Sequence, residues 1–175
     1  MKRAVQALVT LVVAGMLVLT GCSGNSPRVA AEVNGVVIPE ATVDAISQGL
    51  AAGNGEPEAA GTWRRTAASI LISNEIARQV GAKTGASVSA DDVTQAVESS
   101  DQLKQLAATP ELAAFIHDFA NTQLLASQLG KDAFMAAAAD FTVVVNPRYG
   151  EFDPTTLQLG NGTGSLSSPA PAAAA

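Results

Sequence analysis

The spacing of apolar residues predicts a mainly α domain whose short N- and C-terminal β-strands pair with each other against the helices. Three observations carry that expectation. Apolar residues recur every three or four positions through most of residues 40–129, as they do along one face of a helix. They alternate instead within residues 29–38 and 141–145, the period of a strand. Those two stretches flank the helical part, and an isolated two-stranded ribbon is marginal in water, so the ends are expected to meet and lie on the helices.

The chain opens with Lys2 and Arg3, followed by an apolar run from Ala7 to Leu19. A basic start, a short apolar core and small residues before a cut are the marks of a secretory signal peptide, here residues 1–21. The run is shorter than the roughly 20 apolar residues that span a bilayer. Leu19-Thr20-Gly21-Cys22 resembles the bacterial lipobox, which implies cleavage between Gly21 and Cys22 and lipidation of Cys22, the only cysteine of the chain. One acyl chain binds a membrane only marginally, so several, palmitate among them, are expected on Cys22. The expected location is the extracytoplasmic face of the cell membrane. Residues 22–28 are small, polar and turn-forming, as suits a tether.

Of the 175 residues, loss of the first 21 leaves 154, enough for one ordinary domain. Lys2 and Arg3 leave with them, so the net charge of −6 becomes −8. That balance argues against nucleic acid, whose binding is dominated by Lys and Arg neutralising phosphates. It also argues against electrostatic attraction to anionic lipid, leaving the acyl chains to hold the membrane. With Cys22 lipidated and one histidine, His117, the chain is expected to hold no disulfide, no cysteine nucleophile, no metal and no other cofactor.

Within residues 29–38, Val29, Ala31 and Val33 alternate with Ala30 and Glu32, and Asn34-Gly35 predicts a tight turn because both residues accept positive φ. Pro39 and Glu40 suit a first helical turn, and Val43, Ile46 and Leu50 form the apolar face of the helix that follows. Residues 53–57 (Gly-Asn-Gly-Glu-Pro) end it in a loop. A second helix is expected over residues 62–83, with Trp63, Ala67, Ile70, Leu71, Ile72, Ile76 and Val80 inward and Arg64, Arg65, Glu75 and Arg78 outward. Ser89 and Asp92 resemble a capping box before a short helix carrying Val93 and Val97. Residues 99–108 are partly helical, anchored by Leu103 and Leu106. Thr109-Pro110-Glu111 is a strong helix start, and Leu112, Phe115, Ile116 and Phe119 form one stripe after it. Leu124, Leu125 and Leu129 then spread around that helix, which marks it as the centre of the core. An Ala-rich stretch after Gly130 leads to the strand Phe141–Val145, ended by Asn146-Pro147. The domain is expected to end near residue 158, and residues 159–175, rich in Gly, Ser, Pro and Ala, to form a disordered tail.

Ala31-Glu32-Val33-Asn34-Gly35-Val36-Val37-Ile38, then helices, then Val143-Val144-Val145-Asn146-Pro147-Arg148-Tyr149-Gly150 resembles the SurA N-terminal domain family, the chaperone portion of SurA-like and PrsA-like foldases. The Asn-Pro-Arg-Tyr-Gly ending is similar to that of actinobacterial lipoproteins of this group. The resemblance covers residues 29–153 and implies a helical cradle for unfolded or extended exported polypeptides. Several members insert a parvulin prolyl isomerase domain before the last strand. Residues 130–140 leave no room for one, and parvulin sites depend on histidines and a cysteine or acid, so isomerase activity does not carry over.

No constellation of catalytic groups stands out. His117 sits beside Asp118 but off the Leu112/Phe115/Ile116/Phe119 stripe, and reads as a solvated histidine, since a general base also needs a partner and a pocket. Asp91-Asp92 reads as a pair of helix N-terminal acids rather than a cation site, which needs several converging oxygens. No Gly-x-Ser-x-Gly nucleophile elbow is present. Trp63 reads first as a core or staple residue and second as an interface anchor. Arg148 and Tyr149 read as a structural turn in which the arginine pairs with a carboxylate. The candidate peptide-binding residues are therefore Trp63, Ile70, Leu112, Phe115, Ile116 and Phe119. The expectation is a non-enzymatic, membrane-anchored, chaperone-like lipoprotein; the alternative is an adaptor or structural lipoprotein that docks one folded partner.

Overall fold

The computed structural model describes residues 28–160. The expected signal peptide, the motif around Cys22, the expected tether as far as residue 27 and the expected tail from residue 161 lie outside the described residues.

The chain enters as a hairpin, β1 (Val29–Val33) and β2 (Val36–Pro39). Asn34 at φ 47° and Gly35 at φ 84° make the expected turn of two positive-φ residues. β3 (Val143–Val145) adds to the other side of β1, giving the antiparallel order β2-β1-β3. The two ends of the domain thus meet as the sequence leads one to expect. Ala30 and Ala31 are both buried, against strict alternation, because the β1–β2 register shifts between Val29 and Ala31.

Six helices follow the hairpin: α1 (Glu40–Gly53), α2 (Ala60–Thr84), α3 (Ala90–Glu98), α4 (Asp101–Ala107), α5 (Pro110–Leu129) and α6 (Lys131–Ala138). α6 is the Ala-rich stretch after Gly130; its few apolar anchors, Phe134 and Ala138, are both buried. Pro39 closes β2 and stands as N-cap, so Glu40 rather than proline opens α1. The Ser89 hydroxyl accepts from the Asp92 N–H at 3.1 Å and donates to its carboxylate at 2.7 Å, the capping arrangement expected before α3. α5 packs on all five other helices, while α2 joins α1, α5 and α6 to the sheet. The core is therefore shared between α2 and α5 rather than centred on α5. Ile72, Ile76 and Val80 of α2 and Leu112 of α5 are almost fully buried, each burial contributing roughly 1.5–3 kcal/mol.

The approach of α5 to α1 depends on Gly49. A Cβ there would lie 2.8 Å from Leu112 Cδ2, and Leu112 is wholly buried with no room to retreat. α2 is fastened to the hairpin by polar contacts: Gln79 Nε2 donates to Val33 O at 3.1 Å, and Asn34 Nδ2 donates to Gln79 Oε1 at 2.7 Å.

After β3 the chain makes a 3₁₀ turn at Pro147–Tyr149 and a second hairpin, β4 (Glu151–Asp153) with β5 (Gln158–Gly160). This corrects the expected boundary: Leu159 and Gly160 belong to the domain. Arg65 Nη2 donates to Leu159 O at 2.9 Å and Leu159 packs against the core, which is why two residues of an otherwise featureless stretch hold a strand.

Candidate functional site

Two regions of the surface carry chemistry. The first is a polar corner where the start of α1, the first turns of α2 and the turn after β3 converge. Glu40 is buried there, and its Oε1 accepts from Arg64 Nη2, from Tyr149 Oη at 2.6 Å and from Arg148 Nη1 at 3.2 Å. Arg64 also donates to Asp44 Oδ1 and to Tyr149 Oη, the latter at 3.1 Å. Burial and the hydrogen bond to Glu40 push the Tyr149 phenol up to about 12. Partial burial works against the Arg64 guanidinium, but Tyr149, Asp44 and Glu40 outweigh it and hold its pKa above the ordinary value. Asn146 completes the corner: its Nδ2 donates to Val29 O at 3.1 Å and its Oδ1 accepts from Arg148 N and Nε. Arg148 thus pairs with a carboxylate as expected, whereas Arg64 and Arg65, read as outward, are engaged across elements. The corner ties the chain ends to α1 and α2, and Glu40 Oε2 lies buried in it without a hydrogen-bond partner.

The second region is an open cleft of about 500 Å³ between α3 and α5. Its floor is apolar: Val88, Ala96 and Leu124 are half-buried and rest on the core. Its rim is polar and exposed, with Asp92, Gln95 and Ser99 on the α3 side and Ser127 and Gln128 on the α5 side. The Asp92 carboxylate is committed to Ser89, so the side-chain amides of Gln95 and Gln128 are the groups best placed to bond a ligand. An amide both donates and accepts, which matches a peptide backbone, and the floor matches apolar side chains.

The structure separates the sequence-predicted candidates. Leu112, Phe115 and Ile116 are buried in the core and present no surface to a ligand. Their stripe is where α5 meets its neighbours, and a periodic apolar face reports burial without saying against what. Trp63 and Ile70 are half-buried and packed on the core, while Phe119 is half-buried on α5. None of the six lines the cleft. The cleft residues escaped the sequence reading because Val88 precedes the Ser89 cap in a loop and Gln95 and Gln128 carry no pattern; Leu124, which leaves the stripe, was the one usable signal. His117 is half-buried and Asp118 exposed, and neither lines the cleft. Among the described residues no three His, Cys, Asp or Glu side chains gather as a metal site, and no helix is long and apolar enough to cross a membrane.

Comparison with family models, with curated proteins and with solved structures gives no match for this chain.

Proposed function

We propose that this protein is a membrane-anchored, extracytoplasmic, chaperone-like lipoprotein that holds extended segments of exported polypeptides in the α3–α5 cleft, without isomerase or other catalytic activity. The observation that carries the reading is the composition of the cleft, an apolar floor of Val88, Ala96 and Leu124 below the amides of Gln95 and Gln128. Burial of client side chains on that floor is favourable by about 25 cal/mol per Å², offset by the ordering of client and rim, which makes for weak and broad affinity. The anchor on Cys22 and the likeness of the chain's two ends to the SurA N-terminal domain family support the same reading.

Titration of the lipid-free chain from Ser23 onward with extended apolar peptides, followed by backbone amide NMR, tests it. Shifts clustered on Val88, Ala96, Leu124 and Gln128 with several unrelated peptides are the expected result. Silence with every peptide at millimolar concentration, together with tight binding of a single folded partner, would replace it with the adaptor reading.

A further inference from the structure

Among the described residues the exposed large hydrophobic side chains are Val36, Val37 and Val144, 39–44% accessible, and all three belong to the β2-β1-β3 sheet. The register places two of them in one row. Glu32 of β1 pairs with Val37 on one side and Val144 on the other, so the outer face reads Val37-Glu32-Val144 across the three strands. The opposite face, with Ala31, Val33 and Ile38, is buried on the helices. An antiparallel sheet with one solvated face normally alternates apolar and polar along each strand. β1 obeys that rule with Glu32, and its two neighbours break it at the same level. Pro39, beside Val29 at the tether end of the sheet, is exposed as well.

The chain outside the structure says what lies near this face. Cys22 is six residues before Arg28, which leads directly into β1. Six residues reach at most about 20 Å even when fully extended. A lipid on Cys22 therefore keeps the sheet closer to the bilayer than its own helices can be kept by any other link. A short linker raises the local concentration of a surface to the millimolar range, enough to populate a contact too weak to form between separate bodies. Valines at the headgroup boundary gain by leaving water, and zwitterionic lipid leaves Glu32 and the overall negative charge unopposed.

We propose that the Val37-Glu32-Val144 face of the sheet docks on the surface of the bilayer that holds the Cys22 lipid. The proposal rests on the anchoring reading. Pro39, two residues after Val37 on the same face of β2, extends the contact toward the tether.

The test couples the chain from Cys22 onward, through its thiol, to a maleimide-headgroup lipid in phosphatidylcholine vesicles. Amide hydrogen exchange is compared with the same protein capped by a small maleimide and mixed with identical vesicles. Docking slows amide exchange of the β2 and β3 strands several-fold in the tethered protein only, with α3 and α4 unchanged. Replacing Val37→Ser and Val144→Ser together abolishes the slowing, while exchange of the capped variant still matches that of the capped parent, which shows the sheet intact. Equal exchange in tethered and capped protein overturns the proposal, as does protection that appears only when an unfolded polypeptide or a folded protein is added. The mass of the protein extracted from its native membrane tests the anchoring reading separately: absence of acyl mass on Cys22 refutes anchoring, and a normal acyl mass with no protection refutes docking alone.

Discussion

The Glu40 corner and the α3–α5 cleft are built on opposite plans. At the corner, residues far apart in sequence converge on one buried carboxylate, and 109 positions separate Glu40 from Tyr149. At the cleft, the short helix α3, capped by its own Ser89, meets α5 and leaves a gap about 500 Å³ in volume. Buried charges are costly unless paired, so the corner must stay closed. An apolar floor with exposed amides costs little when empty, so the cleft can stay open. The closed region ties distant parts of the fold together, and the open one leaves a gap between helices.

The largest expected effect breaks the corner. Glu40→Ala strands Arg64 and Arg148 and removes the acceptor of Tyr149; the expected loss is about 3 kcal/mol, the low end for breaking a buried ion pair because both guanidiniums keep some contact with water. Urea unfolding measures it, with an unchanged slope if the change is confined to the folded state. Tyr149→Phe removes two hydrogen bonds, the one donated to Glu40 and the one accepted from Arg64, and spares the ion pairs, for about 1–2 kcal/mol by the same assay.

Alkaline titration sharpens the same contrast. The Tyr149 phenol is raised from 10 to about 12 in the folded protein. Between those values the unfolded chain loses the proton that the folded chain keeps, so stability contributed by Tyr149 is full below pH 10 and is lost as pH rises towards 12. The unfolding midpoint is expected to fall across that window, and Tyr149→Phe to flatten that part of the profile.

Changes at the cleft are expected to act in the reverse sense, with small cost to stability and large effect on binding. Leu124→Ser costs at most about 1 kcal/mol at its half-buried position, yet weakens every apolar peptide several-fold in the NMR titration. The smallest effect is electrostatic. With a net charge of −8 after signal-peptide loss, basic peptides bind more tightly than acidic ones of equal apolarity at low salt, and the difference shrinks as salt is added.

Apolar period and punctuation made much of the fold legible. The Asn34-Gly35 turn, the Ser89 cap, the Thr109-Pro110-Glu111 start and the pairing of the chain ends are local signals or follow from them, and the structure contains each. Glu40 was legible only as a first-turn acid; that it is buried under two arginines and a tyrosine depends on a turn more than a hundred residues away. The binding candidates were the least legible. Leu112, Phe115 and Ile116 share the pattern of any buried stripe, and of the residues that line the cleft only Leu124, which leaves that stripe, carried a usable signal.

By itself the sequence determined where helices and strands begin, which faces are apolar and that the chain ends meet, and it placed Cys22 at the end of a stretch resembling a lipobox. These rest on near-neighbour chemistry: backbone caps, side-chain period and a contiguous signal. Tertiary structure alone decided which apolar face became core, which outward arginines were drawn into contacts between elements, that Leu159 and Gly160 extend the domain as a strand, and where a gap remains between helices. Those outcomes depend on how elements pack at angles and distances that no single segment specifies, and a side chain's role follows from what the packing leaves beside it.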